Sequence, residues 1–376
     1  MRKIKQETAG KISILFSALL LLVTFGVGIA SAENWPMFRA NPNRTGNIAE
    51  TTAGTTAISG RITWQRQVDD GIQSSPALFE DKVYFGSNDG NLYALRTSDG
   101  EILWKYSVNN WISSSPAIGN GLVVFGSYDS RVYALDARTG KLKWRFTTHN
   151  DVASSPAIAD GRVYFGGIDG YIYCVDLKTG WQKWRYKAGR EVYGSPSVSD
   201  GVVYIGNHDG KFFALDAATG KLKWRAVVGG PITAAPAIVN GFVYFGSWDG
   251  KLYCANIKHQ AVVWNFDGGG SIESSPLVAN GKVYFGNIKG TMTALDAATG
   301  NVIWQTPTGQ TILSAPALRG NRIFFGNNSN KIYSLDAGTG QIVWEIGTDD
   351  FVVTAPAVGK DAIYVTGLDS VIRCIR

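Results

Sequence analysis

Tryptophan recurs at Trp64, Trp104, Trp144, Trp184, Trp224, Trp264, Trp304 and Trp344, every 40 residues without one insertion. Proline keeps the same period from Pro76 to Pro356, and glycine from Gly86 to Gly326, with Thr366 standing in the last copy. Eight matched copies of three markers define a repeat. A unit this short cannot bury its own apolar surface and must stack against its neighbours. Dividing the 376 residues into two or three ordinary domains therefore fails.

Each period holds four strand-like runs, which in the first copy read "SSPALF", "KVYFGS", "NLYALR" and "EILWKYSV". The second run is apolar at successive positions, as at Val83, Tyr84 and Phe85. Alternate residues face opposite sides of a strand, so continuous apolarity means burial on both faces. The first run is small (Ser74, Ser75, Ala77), which suits a crowded position near an axis. Asp-Gly pairs at Asp89-Gly90, Asp169-Gly170, Asp209-Gly210 and Asp249-Gly250 predict two-residue hairpins with positive φ. No stretch shows helical periodicity.

The fold class is thus all-β, an eight-bladed β-propeller of four-stranded antiparallel blades. The chain stops after three strands of the last unit, while an orphan fourth strand, "RITWQRQV", precedes the first. Pairing the two closes the ring and leaves no ladder edge at the seam. The predicted organisation is a signal peptide over 1–32, a lead-in over 33–60 and the propeller over 61–376.

The signal reading rests on a basic front (Arg2, Lys3, Lys5, Lys11), the apolar run Ile12 to Ala30 and small residues at Ala30-Ser31-Ala32. It predicts an extracytoplasmic protein (periplasmic, cell-surface or secreted), held at a membrane only where the segment stays uncleaved. No cysteine follows the run, so no lipid anchor is expected. Without the segment's four basic residues and Glu7, the 36 basic and 30 acidic residues become 32 and 29. No basic stripe stands out, so nucleic acid is not an expected partner. Cys174, Cys254 and Cys374 share one repeat position and read as small buried side chains of separate blades.

The motif "ALDAATGKLKW" at Ala214 to Trp224, with near copies in most blades, resembles the repeat of the pyrroloquinoline quinone (PQQ)-type propellers over Arg61 to Arg376. The resemblance implies that the eight tryptophans dock neighbouring blades at the outer rim. It also likens "NWPMFRANPNRTG", Asn34 to Gly46, to the lead-in of secreted members, expected to cross one face with Trp35 and Phe38 out of water. That family holds both quinoprotein dehydrogenases, which bind PQQ and calcium in the funnel, and non-catalytic scaffolds. Among the scaffolds is the propeller subunit of the bacterial outer-membrane barrel assembly machinery.

The catalytic set of the dehydrogenases is not visible. There are no adjacent cysteines and no insertions to shape a pocket, and His149, His208 and His259 fall at three different repeat positions. No catalytic residue, metal ligand or cofactor is expected. The hairpin aspartates read as turn caps. Function is sought instead where the repeat varies, in the loops before the innermost strands and beside the hairpins. Trp111, Tyr128, Arg190, Glu191, Tyr193, His208, Trp248, Glu273 and Phe351 form the candidate binding face. Tolerance of variable loops by solvent explains the same variation, and both readings stand at this point. The leading reading is a scaffold that binds an envelope or extracellular protein, or a polysaccharide, through this face. The alternatives are a PQQ- and calcium-dependent oxidoreductase of degenerate type and a sugar-binding module.

Overall fold

The computed structural model describes residues 34–46 and 57–376; the segment read as a signal peptide lies outside the described residues. Among these, 32 strands form eight four-stranded antiparallel sheets and no helix occurs. From the axis outward, the first blade comprises Ala77–Phe79, Lys82–Gly86, Asn91–Arg96 and Ile102–Ser107, and six more blades repeat it at 40-residue steps. The eighth joins Ala357–Val358, Ile363–Thr366 and Val371–Ile375 to Ile62–Gln67, with Trp64 opposite Cys374. The ring closes as the chain ends predict.

Alternate residues of each second strand serve different neighbours. Val163 and Phe165 pack with Val124, Ala134 and Trp144 of the preceding blade, whereas Tyr164 packs with Val198, Val203 and Ile205 of the next. The three cysteines lie unpaired in separate inter-blade clusters. Each rim tryptophan reaches forward. The Trp144 indole N–H donates to the Leu177 carbonyl at 2.8 Å, and Trp184 to Ala217 at 3.0 Å. At the seam, Trp344 finds the Ile58 carbonyl at 3.0 Å, so the lead-in supplies the acceptor that a ninth copy would have provided. The turn glycine beneath each ring is fitted to it: a Cβ on Gly140, at φ +70°, would stand 2.8 Å from Trp104.

Two local expectations change. The innermost strand begins at Ala77 rather than Ser74, because the serines bond between blades instead of within a ladder. The Ser74, Ser114 and Ser154 hydroxyls donate to the Ser114, Ser154 and Gly194 carbonyls of the following blades at 3.0–3.1 Å. Around the same axis, Gly86 comes so close to the next blade that a Cβ would lie 2.1 Å from Ile112 Cγ2 and 2.6 Å from its carbonyl. The departure at Thr366 belongs to this ring. Its hydroxyl donates to the Ser74 carbonyl at 2.9 Å and meets Thr354 Oγ1 at 3.0 Å, carrying the chain across the seam. The hairpins also differ, having four-residue loops such as Ser87 to Gly90 in which only the glycine, φ +77° at Gly90, is left-handed. This is a turn closed by an αL residue rather than a two-residue hairpin.

Candidate functional site

The eight hairpins and the eight loops preceding the innermost strands share one face. In every blade a hairpin amide donates to a carbonyl of the loop before the innermost strand, as from Tyr128 to Trp111, His208 to Glu191, Trp248 to Pro231 and Leu368 to Phe351. The aspartates hold this frame. Asp169 Oδ1 accepts from the Tyr171 amide at 3.1 Å, and Oδ2 from the Tyr173 hydroxyl at 2.6 Å and the His149 amide at 3.1 Å. Asp89, Asp129 and Asp249 accept the matching tyrosine hydroxyl at 2.5–2.7 Å, and Asp369 instead pairs with buried Arg373. These carboxylates are committed to structure.

On that frame the variable side chains form an arc. The Trp111 and Tyr128 rings lie 6.2 Å apart in the second blade, and burial raises the Tyr128 hydroxyl above its ordinary pKa. Tyr193 faces His208 at 5.7 Å, and His208 meets Trp248 edge-on at 5.3 Å, so the fourth and fifth blades share one aromatic cluster. The Trp248 indole N–H is fixed on Thr233 Oγ1 at 3.0 Å. Arg190 and Glu191 form a local ion pair at 3.2 Å. The Glu191 carboxyl is held below its ordinary range by its own backbone amide, Arg190 and His208. Phe351 stands apart on the eighth blade, its amide capped by Asp350. Trp111 is 49% exposed, and Trp248, Phe351, Tyr193 and Ile288 lie between 36% and 40%. Ile288, whose amide bonds to Ser271 on this face, was missed by sequence reading. A lone isoleucine beside a hairpin carries no signal without the topology.

Glu273 lies deeper, in a central cavity of about 170 Å³. Around the ring the lining runs through successive blades as Thr233, Glu273, Leu313, Val353, Gln73 and Ser113, and Phe38 joins it. Phe38 is there because Asn34 to Gly46 straps the opposite face. Trp35 pairs with Leu78, and the carbonyls of Pro36, Pro42, Asn43, Thr45 and Gly46 accept the amides of Ile118, Val198, Ile238, Val278 and Leu318. Trp35 is buried and Phe38 half-buried. Arg44, fully buried, reaches Pro196, Ser155, Pro156 and Phe38 carbonyls at 2.5–3.1 Å and stacks on the Phe38 ring at 5.2 Å. Burial lowers its pKa to about 9. Arg39 and Arg44 also escaped sequence reading, since a segment present once has no copies to compare.

The chain matches the family profile described as outer membrane protein assembly factor BamB (PQQ_2) over residues 49–167, 144–234, 229–317 and 309–375. The chain belongs to this family. No curated protein sequence matches it. Among solved structures it is similar to BamB from Moraxella catarrhalis, 21% identical, covering 84% of this chain and 99% of that one, with a TM-score of 0.74. It is also similar to the quinohemoprotein alcohol dehydrogenase of Comamonas testosteroni, 15% identical, covering 93% and 81%, with a TM-score of 0.81. A computationally designed protein, Ika8, is 20% identical over 84% and 99%, with a TM-score of 0.76. At such identities the three share the fold with this chain, and function has to be argued from the site.

Proposed function

We propose that this protein is a non-catalytic scaffold of the cell envelope that docks another envelope protein on its loop face. The observation that carries the reading is the exposed arc of Trp111, Tyr193, Trp248 and Ile288, with Phe351 apart on the same face, on a frame of hairpin aspartates and backbone bonds. Large apolar and aromatic side chains on a rigid polar frame are what partners anchor on. The family's description as an assembly factor supports an envelope location and a protein partner.

PQQ and calcium suit this chain poorly. PQQ is a flat tricarboxylate, and the cavity lining offers it one carboxylate, Glu273, and no lysine or arginine. No cluster of potential metal ligands occurs among the described residues. The test immobilises wild type, Trp111→Ala, Trp248→Ala and the rim control Trp181→Ala, whose target is 77% exposed, in envelope extract. An envelope protein held by wild type and Trp181→Ala but lost from the other two is expected. Equal retention by all four, or stoichiometric uptake of PQQ with calcium, overturns the proposal.

A further inference from the structure

Glu273 is the one charged group in the cavity lining. Its carboxylate makes no hydrogen bond or ion pair with another described residue, and burial alone raises its pKa above the ordinary value. A half-desolvated carboxylate without a partner costs free energy, and a cation with N–H donors would offset that cost. The surrounding groups suit such a cation. Thr233 and Leu313 line the cavity from the two blades flanking the acid, giving a hydroxyl oxygen and an apolar wall for an alkyl stem that Val353 extends, while Gln73 and Ser113 add polar groups three and four blades further round. Trp248 stands over the same sector, its indole on Thr233 and its carbonyl accepting from Ser271, two residues before Glu273. An aromatic face there adds attraction for a cation entering from the mouth. Phe38, from the strap that crosses the opposite face, also lines the cavity, whose volume of about 170 Å³ suits a side chain.

We infer that the central cavity is a socket for one lysine or arginine side chain of the docked protein, received by Glu273 and gripped at the mouth by the Trp248 sector. This rests on the docking reading and sharpens it. Aromatic residues of the arc supply contact area, while the socket selects a partner loop with a projecting basic residue. The apolar wall formed by Leu313 and Val353 would pack its methylenes as the charge is neutralised.

The test titrates the whole protein with Nα-acetyl-arginine methylamide, following the Leu313 and Val353 methyl resonances. Nα-acetyl-norleucine methylamide serves as the neutral control and spermidine as the free cation. Saturable shifts with the arginine probe, none with norleucine, and at least a fivefold loss of affinity in Glu273→Gln are expected. Glu273→Asp, which keeps the charge, retains part of the binding. Equal response to norleucine, unchanged affinity in Glu273→Gln, or no arginine binding overturns the socket. Spermidine binding tenfold tighter than the arginine probe also overturns it, in favour of a free polyamine. In the capture experiment, loss of the partner from the tryptophan variants but not from Glu273→Gln would leave docking intact and remove the socket alone.

Discussion

Arg44→Met tests whether one buried cation fastens the strap across the propeller. The guanidinium spends its donors on four carbonyls, of Pro196, Ser155, Pro156 and Phe38, with no carboxylate among them. Bonds from a charged donor contribute about 1.5 kcal/mol each, so about 6 kcal/mol is at stake. Removing the charge also relieves its desolvation, about 3 kcal/mol after relaxation, and methionine refills part of the space. The net expectation is a loss of about 3 kcal/mol. At an unfolding entropy of about 2.1 cal/mol/K per residue, that lowers the midpoint of a chain this size by about 4–5 °C. The location of the damage discriminates better than its size. Amide exchange at Val198 and Ile238, which donate to Pro42 and Asn43 of the strap, should rise at least tenfold in urea below the transition. Outer-strand amides should not change. Arg44→Lys should recover little, because a point charge with three donors cannot span the same carbonyls as a planar fork. An unaltered urea midpoint with unaltered exchange at Val198 and Ile238 would refute the assignment of Arg44 as the strap's anchor.

Thr366→Val removes the hydroxyl that links Ser74 and Thr354 across the seam and should cost about 1–2 kcal/mol in urea unfolding; a neutral result would mean that the seam does not depend on this bond. Gly140→Val places branches where a Cβ already stands 2.8 Å from Trp104, at φ +70°, and should cost about 2–4 kcal/mol, with faster exchange confined to the first two blades. Alkaline pH should unfold the protein. Burial raises the hydroxyls of Tyr133, Tyr164, Tyr204 and Tyr284 to about 12, so above the unfolded value near 10 the unfolded chain releases protons that the native state keeps. Their stabilisation is complete below pH 10 and lost as pH rises towards 12. Arg39 and Arg44, lowered to about 9 by burial, act in the opposite sense over that window but are fewer. Tyrosinate absorbance should therefore rise together with loss of the β-sheet circular dichroism signal, and ionisation at pH 10 without unfolding would contradict the burial argument.

The repeat made the fold legible because eight copies average away everything a single position does for its own reasons. Trp64 and the three-strand ending at Val371–Ile375 were enough to close the ring on paper. What stayed hidden is what the average removes. Arg44 occurs in a segment with no second copy, and three of its four acceptors lie more than 110 residues away in sequence. Thr366 looked like a lapse in the glycine series, and only the crossing at Ser74 gives it a task. The serine bonds around the axis were mistaken for strand, since small polar residues before Ala77 fit either.

The candidate site shows the same division from the other side. Sequence variation selected Trp111, Tyr193 and Trp248 but could not say that Tyr193, His208 and Trp248 make one cluster across two blades, while Phe351 stands away from it. Nor could it separate Glu191, paired with Arg190 at the rim, from Glu273, alone in the cavity. Both are single acids in variable loops, yet solvent and a neighbour satisfy one and leave the other waiting for a cation. An eightfold scaffold fixes every backbone position around the mouth, so differences among its sectors arise only from side chains. Recognition is therefore expected to be lopsided, concentrated on the second to sixth blades, where the aromatic arc and the unpaired carboxylate coincide.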